Sequence, residues 1–290
     1  MIAARRARRA ALLSLLLLSL AGPAGAHVAL DDQIARLDGL IAREPSLDLY
    51  LRRGDLHRAR GDLASALIDF ARAGAIDPSS ADPPLQMGRA LLEAGRTEEA
   101  MRSFDLALTL RPGYVDALTG RGRARARLGR HLEAGADFTD AILGCAPSRA
   151  PQPDLYLERA SALAAAGPEH LAKALEGLDE GIDRLGPAVS LELATIDIET
   201  RLGRYDAALS RVEAASLRST HHGHWMARRG EILLAAGRRT EARAAYESAL
   251  ASLVALPERR RTTGAVVAIE RSVRDALARM GAGGTPESRR

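Results

Sequence analysis

Small and apolar residues recur along the chain with a period of 34 residues. Gly54, Gly88 and Gly122 begin three copies of one order, in which a second glycine, an alanine, a phenylalanine, another alanine and a proline follow. Those later members are Gly61, Gly95 and Gly129; Ala66, Ala100 and Ala134; Phe70, Phe104 and Phe138; Ala73, Ala107 and Ala141; and Pro78, Pro112 and Pro147, the last of them one residue late. This period predicts pairs of helices that stack on one another into a solenoid.

Each copy predicts two amphipathic helices, which we name A and B in chain order. In the first copy, helix A is expected over about 47–60 and helix B over about 62–75. Gly61 marks the tight turn between them, where a side chain would crowd the reversal. Gly54 is small because the two helices must approach closely there. Phe70 on helix B is then expected to fill the space that the small residues leave.

The three copies resemble the tetratricopeptide repeat family. The resemblance is carried by RRGDLHRARGDLASALIDFARAGAIDP, MGRALLEAGRTEEAMRSFDLALTLRP and GRGRARARLGRHLEAGADFTDAILGCAP. Three degenerate copies follow, in which Ala160, Ile196 and Gly230 stand at the position of the first glycine. The resemblance covers most of the chain and implies an all-α, right-handed α-solenoid of about six helix pairs, with a capping helix at each end.

The predicted order of segments has five parts. They are a signal peptide at 1–26, an N-terminal capping helix at 27–46, six repeats at 47–256, a C-terminal capping helix at 257–280 and a disordered tail at 281–290. Capping helices with one polar face are what the open ends of a solenoid require for solubility.

The first 26 residues have the features of a secretory signal peptide. Four arginines precede a short apolar run, and Ala24-Gly25-Ala26 forms a cleavage site of small residues. We therefore expect export across the inner membrane, with a periplasmic destination and no stable membrane insertion after the segment is removed. The alternative is an uncleaved membrane anchor.

Charge argues against nucleic acid as a partner. The chain carries 41 basic and 37 acidic residues, and the four arginines of the signal segment account for the difference. A chain that is otherwise formally neutral lacks the basic surplus that phosphate binding requires. No nucleophile motif or glycine-rich phosphate loop stands out either, so neither an enzyme nor a cofactor is predicted. The single cysteine, Cys145, excludes an internal disulfide.

The resemblance also implies which A-helix residues face a ligand groove. They carry both signs of charge: Arg52, Asp55, Gln86, Arg89, Asp116, Arg123, Arg127, Asp197, Arg228 and Glu231. Such a lining predicts an interaction scaffold that binds another protein or a peptide. The alternative for any one of these residues is a solvated side chain paired along or between helices. Self-association through the C-terminal helix also stays open.

Histidines suggest a second function, an envelope protein that binds metal. His27 would be the first residue after cleavage, and His221, His222 and His224 lie within four residues of one another. Imidazole is a common ligand of divalent metals. Gly223 indicates that the cluster lies in a turn, so the ring directions are not set by a helix, and no nearby cysteine completes a site.

Overall fold

The computed structural model describes residues 23–145, 151–219 and 222–282, with side chains from residue 29 to residue 281. Within these ranges the chain forms fifteen α-helices and no strand. The helices are α1 Pro23–Arg43, α2 Leu47–Ala59, α3 Leu63–Ile76, α4 Asp82–Glu93, α5 Thr97–Leu110, α6 Val115–Arg127, α7 His131–Gly144, α8 Pro153–Ala166, α9 Leu171–Leu185, α10 Val189–Arg201, α11 Tyr205–Arg218, α12 His222–Ala235, α13 Arg239–Val254, α14 Glu258–Arg261 and α15 Gly264–Ala282.

Helices α2 to α13 alternate along the chain as A and B helices in the order that six repeats predict, and the predicted fold class is confirmed. The A helices are α2, α4, α6, α8, α10 and α12, and each is followed by its B helix. By contact density the chain divides into two compact units, the first ending at Arg130 and the second beginning at His131.

The segment boundaries stay predictions, and the ends of the described chain differ in detail from them. Helix α1 begins at Pro23, inside the predicted signal segment, whose residues 1–22 lie outside the described ranges. The single helix expected at 257–280 is divided into α14 and α15. Helix α15 continues to Ala282, beyond the expected start of the tail, and residues 283–290 are not described. Among the helices described, none has both the length and the apolar composition that a membrane span requires.

The turns between helices follow the glycine pattern. Gly61, Gly95 and Gly129 have φ angles of 85°, 77° and 75°, in the left-handed region that favours glycine. Asp62 then caps α3, because its carboxylate accepts a hydrogen bond from the Ser65 backbone N–H at 3.1 Å. Hydrogen bonds from the Ser65 hydroxyl and N–H lower the pKa of Asp62 to about 2. In the first pair, the A–B reversal is thus set by a glycine and a capping aspartate.

In the first unit, a phenylalanine ring fills the space between glycines of two successive pairs. Phe104 is fully buried on α5. A Cβ atom added at Gly88 of the same pair would lie 2.6 Å from the ring, and one added at Gly120 of α6 would lie 2.5 Å away. Both distances are shorter than van der Waals contact, so neither position admits a side chain without displacing the ring. Gly54 and Phe70 make the same contact in the first pair.

A buried ion pair also joins the helices of the first pair. Arg53 of α2 donates from Nε and Nη2 to the two carboxylate oxygens of Asp69 on α3, at 2.8 and 2.6 Å. Arg53 Nη1 also donates to Asp38 of α1 at 2.6 Å. The Asp69 side chain is only 3% exposed. This arginine therefore ties the N-terminal helix and both helices of the first pair together.

In the second unit, the fourth pair reverses the packing of ring and glycine. Tyr156 is fully buried on the A helix α8, and a Cβ at Gly181 of the B helix α9 would lie 2.9 Å from its ring. The aromatic residue therefore comes from helix A and the glycine from helix B. Gly167 and Ala174 of this copy are seven residues apart, two more than Gly61 and Ala66 of the first copy. A 3-10 helix, Pro168–His170, between α8 and α9 accommodates the difference.

Helix α15 packs on the sixth pair as the A helix of a further pair would. Val273, Ala276 and Met280 are buried and join the core formed by α10 to α13. Arg239 at the start of α13 donates to the Met280 carbonyl at 2.9 Å. The spacing of the buried residues gives α15 one apolar stripe, and its other faces remain in solvent.

Candidate functional site

The surface formed by neighbouring A helices is termed the A-helix face; it comprises α2, α4 and α6 in the first unit and α8, α10 and α12 in the second. Arginines connect successive A helices along this face of the first unit. Arg58 contacts Glu93 at 2.6 Å, and Arg89 contacts Asp116 at 2.9 Å. Arg127 donates to the Leu92 carbonyl at 2.5 Å. Contacts between successive repeats therefore involve three of the predicted groove residues, Arg89, Asp116 and Arg127.

Two other predicted groove residues of the first unit have partners within their own helix. Arg52 pairs with Asp48 at 2.9 Å, and both side chains are mostly exposed. Asp55 lies 3.4 Å from Arg58. Arg123 is exposed on α6. Gln86 is half-buried, and its Oε1 atom is buried without a hydrogen-bond donor among the described residues. Exposed ion pairs of this kind contribute little stability, so these side chains can exchange partners at low cost.

In the second unit the three predicted residues come together. Arg228 of α12 forms an ion pair with Asp197 of α10 and another, at 2.6 Å, with Glu231 one turn along its own helix. Both carboxylates are about half-exposed, whereas Arg228 is largely buried. On the neighbouring A helices, Arg201 of α10 donates to the Ala164 carbonyl of α8 at 3.1 Å. An arginine at the end of an A helix therefore bonds a terminal carbonyl of the preceding A helix, as Arg127 does in the first unit.

Two cavities lie along the A-helix face of the second unit. The first, which we name the α8 cavity, is an open depression of about 610 Å³ between α8 and α10, lined in part by small residues such as Ala160, Ser161 and Ala194. The second, the α15 cavity, is an open depression of about 380 Å³ among α10, α12 and α15. Asp197 lines both cavities, so the two are neighbours on one face. Volumes of this size are typical of ligand sites, which range from about 300 to 1,000 Å³.

Sequence reasoning placed Asp197, Arg228 and Glu231 on this face but missed the cavities. Their walls include Leu193, Ala227 and Ile269, which are apolar and therefore carried no functional signal. Helix α15 forms the third wall of the α15 cavity. The position of this helix depends on its packing, which no residue pattern within a repeat predicts.

His222 and His224 do not lie in a turn, which corrects the prediction for these two residues. His222, Gly223 and His224 belong to the first turn of α12. The Nδ1 atom of His222 lies 3.3 Å from the Ser216 hydroxyl oxygen. The His224 ring packs edge-on against the Trp225 ring, with the two ring centroids 5.4 Å apart. His221 and the side chain of His27 lie outside the described residues. Within the part that is described, no group of three or more histidine, cysteine or acidic side chains is placed to hold a metal ion.

Two family models match the chain in separate regions. A model described as a tetratricopeptide repeat matches residues 31–81 and 85–150, and one described as a tetratricopeptide repeat-like domain matches residues 159–263. Together these regions include four helix pairs completely and the second and fourth pairs except for the first residues of α4 and α8. The chain belongs to the tetratricopeptide repeat family. Tetratricopeptide repeats typically form protein-interaction scaffolds without catalytic activity, which supports that general role here.

Solved structures of tetratricopeptide repeat proteins have the same fold. YrrB, described as a tetratricopeptide repeat protein with an unusual peptide-binding site, is 20% identical with a TM-score of 0.51, over 63% of this chain and 91% of YrrB. A repeat protein from Parabacteroides merdae is 18% identical with a TM-score of 0.51, over 84% of this chain and 92% of that protein. At these identities the likeness shows the fold alone. No curated protein matches the chain significantly.

Proposed function

We propose that this tetratricopeptide repeat protein is an exported scaffold that binds an extended segment of another protein on its A-helix face. The observation that carries the proposal is the pair of neighbouring cavities that share Asp197. An extended chain advances about 3.3 Å per residue, so successive side chains of one segment can enter successive cavities. The YrrB precedent, a repeat protein with a peptide-binding site, is consistent with this use of the fold.

Charged side chains around the cavities supply specificity. Asp197, Arg201, Arg228 and Glu231 surround apolar and small residues on one face. Complementary charge steers a partner and rejects others, while apolar contact provides most of the affinity. The same reasoning extends to Arg52, Asp55, Arg89 and Arg123 in the first unit, whose side chains are exposed or partly exposed.

A photo-crosslinker placed on either side of the fourth pair tests the binding surface. Ser161 is exposed and lines the α8 cavity, and Glu176 is exposed on the B helix α9 of the same pair. We expect p-benzoylphenylalanine at Ser161 to give discrete crosslinked species in cells, and the same group at Glu176 to give none. Equal yields of the same species from both positions would contradict the proposal.

The same cells test export. The proposal expects the crosslinked chain in the envelope fraction, and mass spectrometry should show that it begins at His27 after removal of residues 1–26. Recovery of the intact chain from the cytoplasmic fraction would contradict export while leaving the binding surface open to test.

A further inference from the structure

Helix α15 gives the α15 cavity a wall that no repeat supplies. Because Val273, Ala276 and Met280 bury the stripe facing α13, the adjacent face of α15 presents Ala268 and Ile269 to the cavity. Ala268 is exposed. Across the cavity, the A helices α10 and α12 supply Leu193 and Ala227, which are partly or fully buried against the core. The interior of the cavity is therefore aliphatic on three sides.

The rim of this cavity has an excess of negative charge. Asp197 and Glu231 are two carboxylates, and Arg228 is the single arginine or lysine among the lining residues. Arg228 contacts both of them, so the lining carries one more carboxylate than guanidinium, beside the imidazole of His224.

We propose that the α15 cavity recognises a peptide segment in which an aliphatic side chain is followed by a basic one. The aliphatic side chain enters between Leu193, Ala227 and Ile269, and the basic side chain lies against Glu231 and Asp197. This inference rests on the proposed binding function and specifies its ligand chemistry. Charge complementarity selects this occupant over an acidic peptide, which the surplus carboxylate would repel.

The protein's own C-terminal segment fits the cavity less well than such a peptide. Residues 283–290 read GGTPESRR and contain no aliphatic side chain larger than proline. They therefore offer arginines to the rim but nothing to fill the interior, and a cavity lined by leucine, isoleucine and valine gains most from an apolar side chain. A partner segment from another protein supplies both features.

Fluorescence anisotropy with three labelled octapeptides tests the ligand chemistry on the full-length chain. The peptides share an alanine–serine background and carry a central leucine–arginine, leucine–glutamate or alanine–arginine pair. We expect the leucine–arginine peptide to bind about tenfold more tightly than either of the others, because each lacks one of the two contacts. The proposal would be overturned if the leucine–arginine and leucine–glutamate peptides bound with equal affinity. It would also be overturned if the leucine–arginine peptide did not bind at about 1 mM, a concentration that detects even weak affinity.

A matched pair of substitutions on α15 tests the location. Ala268→Leu places three extra carbon atoms in the cavity, whereas Ala278→Leu places them at an exposed position of the same helix that does not line it. We expect Ala268→Leu to weaken leucine–arginine binding about tenfold and Ala278→Leu to leave it unchanged. Circular dichroism of both variants checks that the fold is retained. Equal weakening by both, or by neither, would overturn the assignment to this cavity.

Failure of this inference can be told apart from failure of the proposed function. Crosslinking at Ser161 with no octapeptide binding would retain the scaffold and remove the α15 cavity as its specificity site. A dimer in light scattering that Ala268→Leu converts to a monomer would assign the cavity to a second copy of the chain, and would also overturn the inference.

Discussion

Replacing Phe104 by alanine is expected to destabilise the protein by about 3–5 kcal/mol, the range for truncating a buried phenylalanine. The ring is fully buried and contacts Gly88 of its own pair and Gly120 of the next. Both neighbours lack side chains, so nothing on either side can extend into the space that the ring vacates. The cavity should therefore persist, and the cost should lie toward the upper end of the range.

Urea unfolding followed by circular dichroism at 222 nm measures this effect. The matched control is Leu106→Ala on the same helix, where the side chain is 53% exposed, and we expect it to change stability by no more than about 0.5 kcal/mol. A Phe104→Ala variant no less stable than the control would show that the ring does not hold successive pairs together.

Replacing Asp69 by alanine is expected to cost about 3–5 kcal/mol, because it leaves a largely buried arginine without its main partner. Arg53 is 13% exposed and donates two hydrogen bonds to Asp69. The hydrogen bond to Asp69, ahead of every other effect, raises the pKa of Arg53. A guanidinium keeps its proton in proteins even without such a partner, so the arginine of the variant stays charged. The remaining contact with Asp38 is exposed at the carboxylate and compensates little.

The control for this variant is Asp48→Ala in the same helix pair. Asp48 also pairs with an arginine, Arg52, but both side chains are more than 60% exposed. We expect a change in the free energy of unfolding of at most about 1 kcal/mol. Similar losses from Asp69→Ala and Asp48→Ala would mean that burial of the pair does not determine its contribution.

The repeat pattern predicted the helix pairs because it records contacts within a pair. Gly54 with Phe70 and Gly88 with Phe104 recur at fixed separations, and the structure brings both together. Gly120 was not predicted to contact the ring, since that contact joins two pairs and depends on how they stack. The sequence identified the fourth pair only in part. Its ring, Tyr156, lies on helix A and its glycine, Gly181, lies on helix B. A search for the same order of residues in every copy does not detect this exchange.

Sequence reasoning also missed the arginines that join an A helix to a neighbouring B helix, within a pair for Arg53 and Arg159 and between successive pairs for Arg121, although a signal for them was present. Arg53, Arg121 and Arg159 each stand directly before the first small residue of a copy. Arg53 binds Asp69, Arg121 binds Asp105 and Arg159 binds Glu180. The carboxylate occupies no constant position, so only the arginine recurs. In the fifth pair the charges are exchanged, with Glu199 on helix A and Arg211 on helix B.

Family resemblance predicted which residues lie on the A-helix face, and the structure showed which partners those residues contact. Ion pairs between successive repeats involve Arg89, Asp116 and Arg228. A periodic pattern does not predict these pairs, because pairing depends on side-chain direction as well as on spacing. The two cavities could not be predicted for a further reason: the packing of α15 forms one of them, and that packing follows from the core around Val273 and Met280.

Amide hydrogen exchange of the full-length chain, with and without the leucine–arginine octapeptide, tests most directly whether the A-helix face of the second unit is the binding surface. The account predicts slower exchange in α10, α12 and α15 on addition of the peptide, with the B helices α9, α11 and α13 unchanged. Slower exchange in those B helices, with none in α10 or α12, would contradict it.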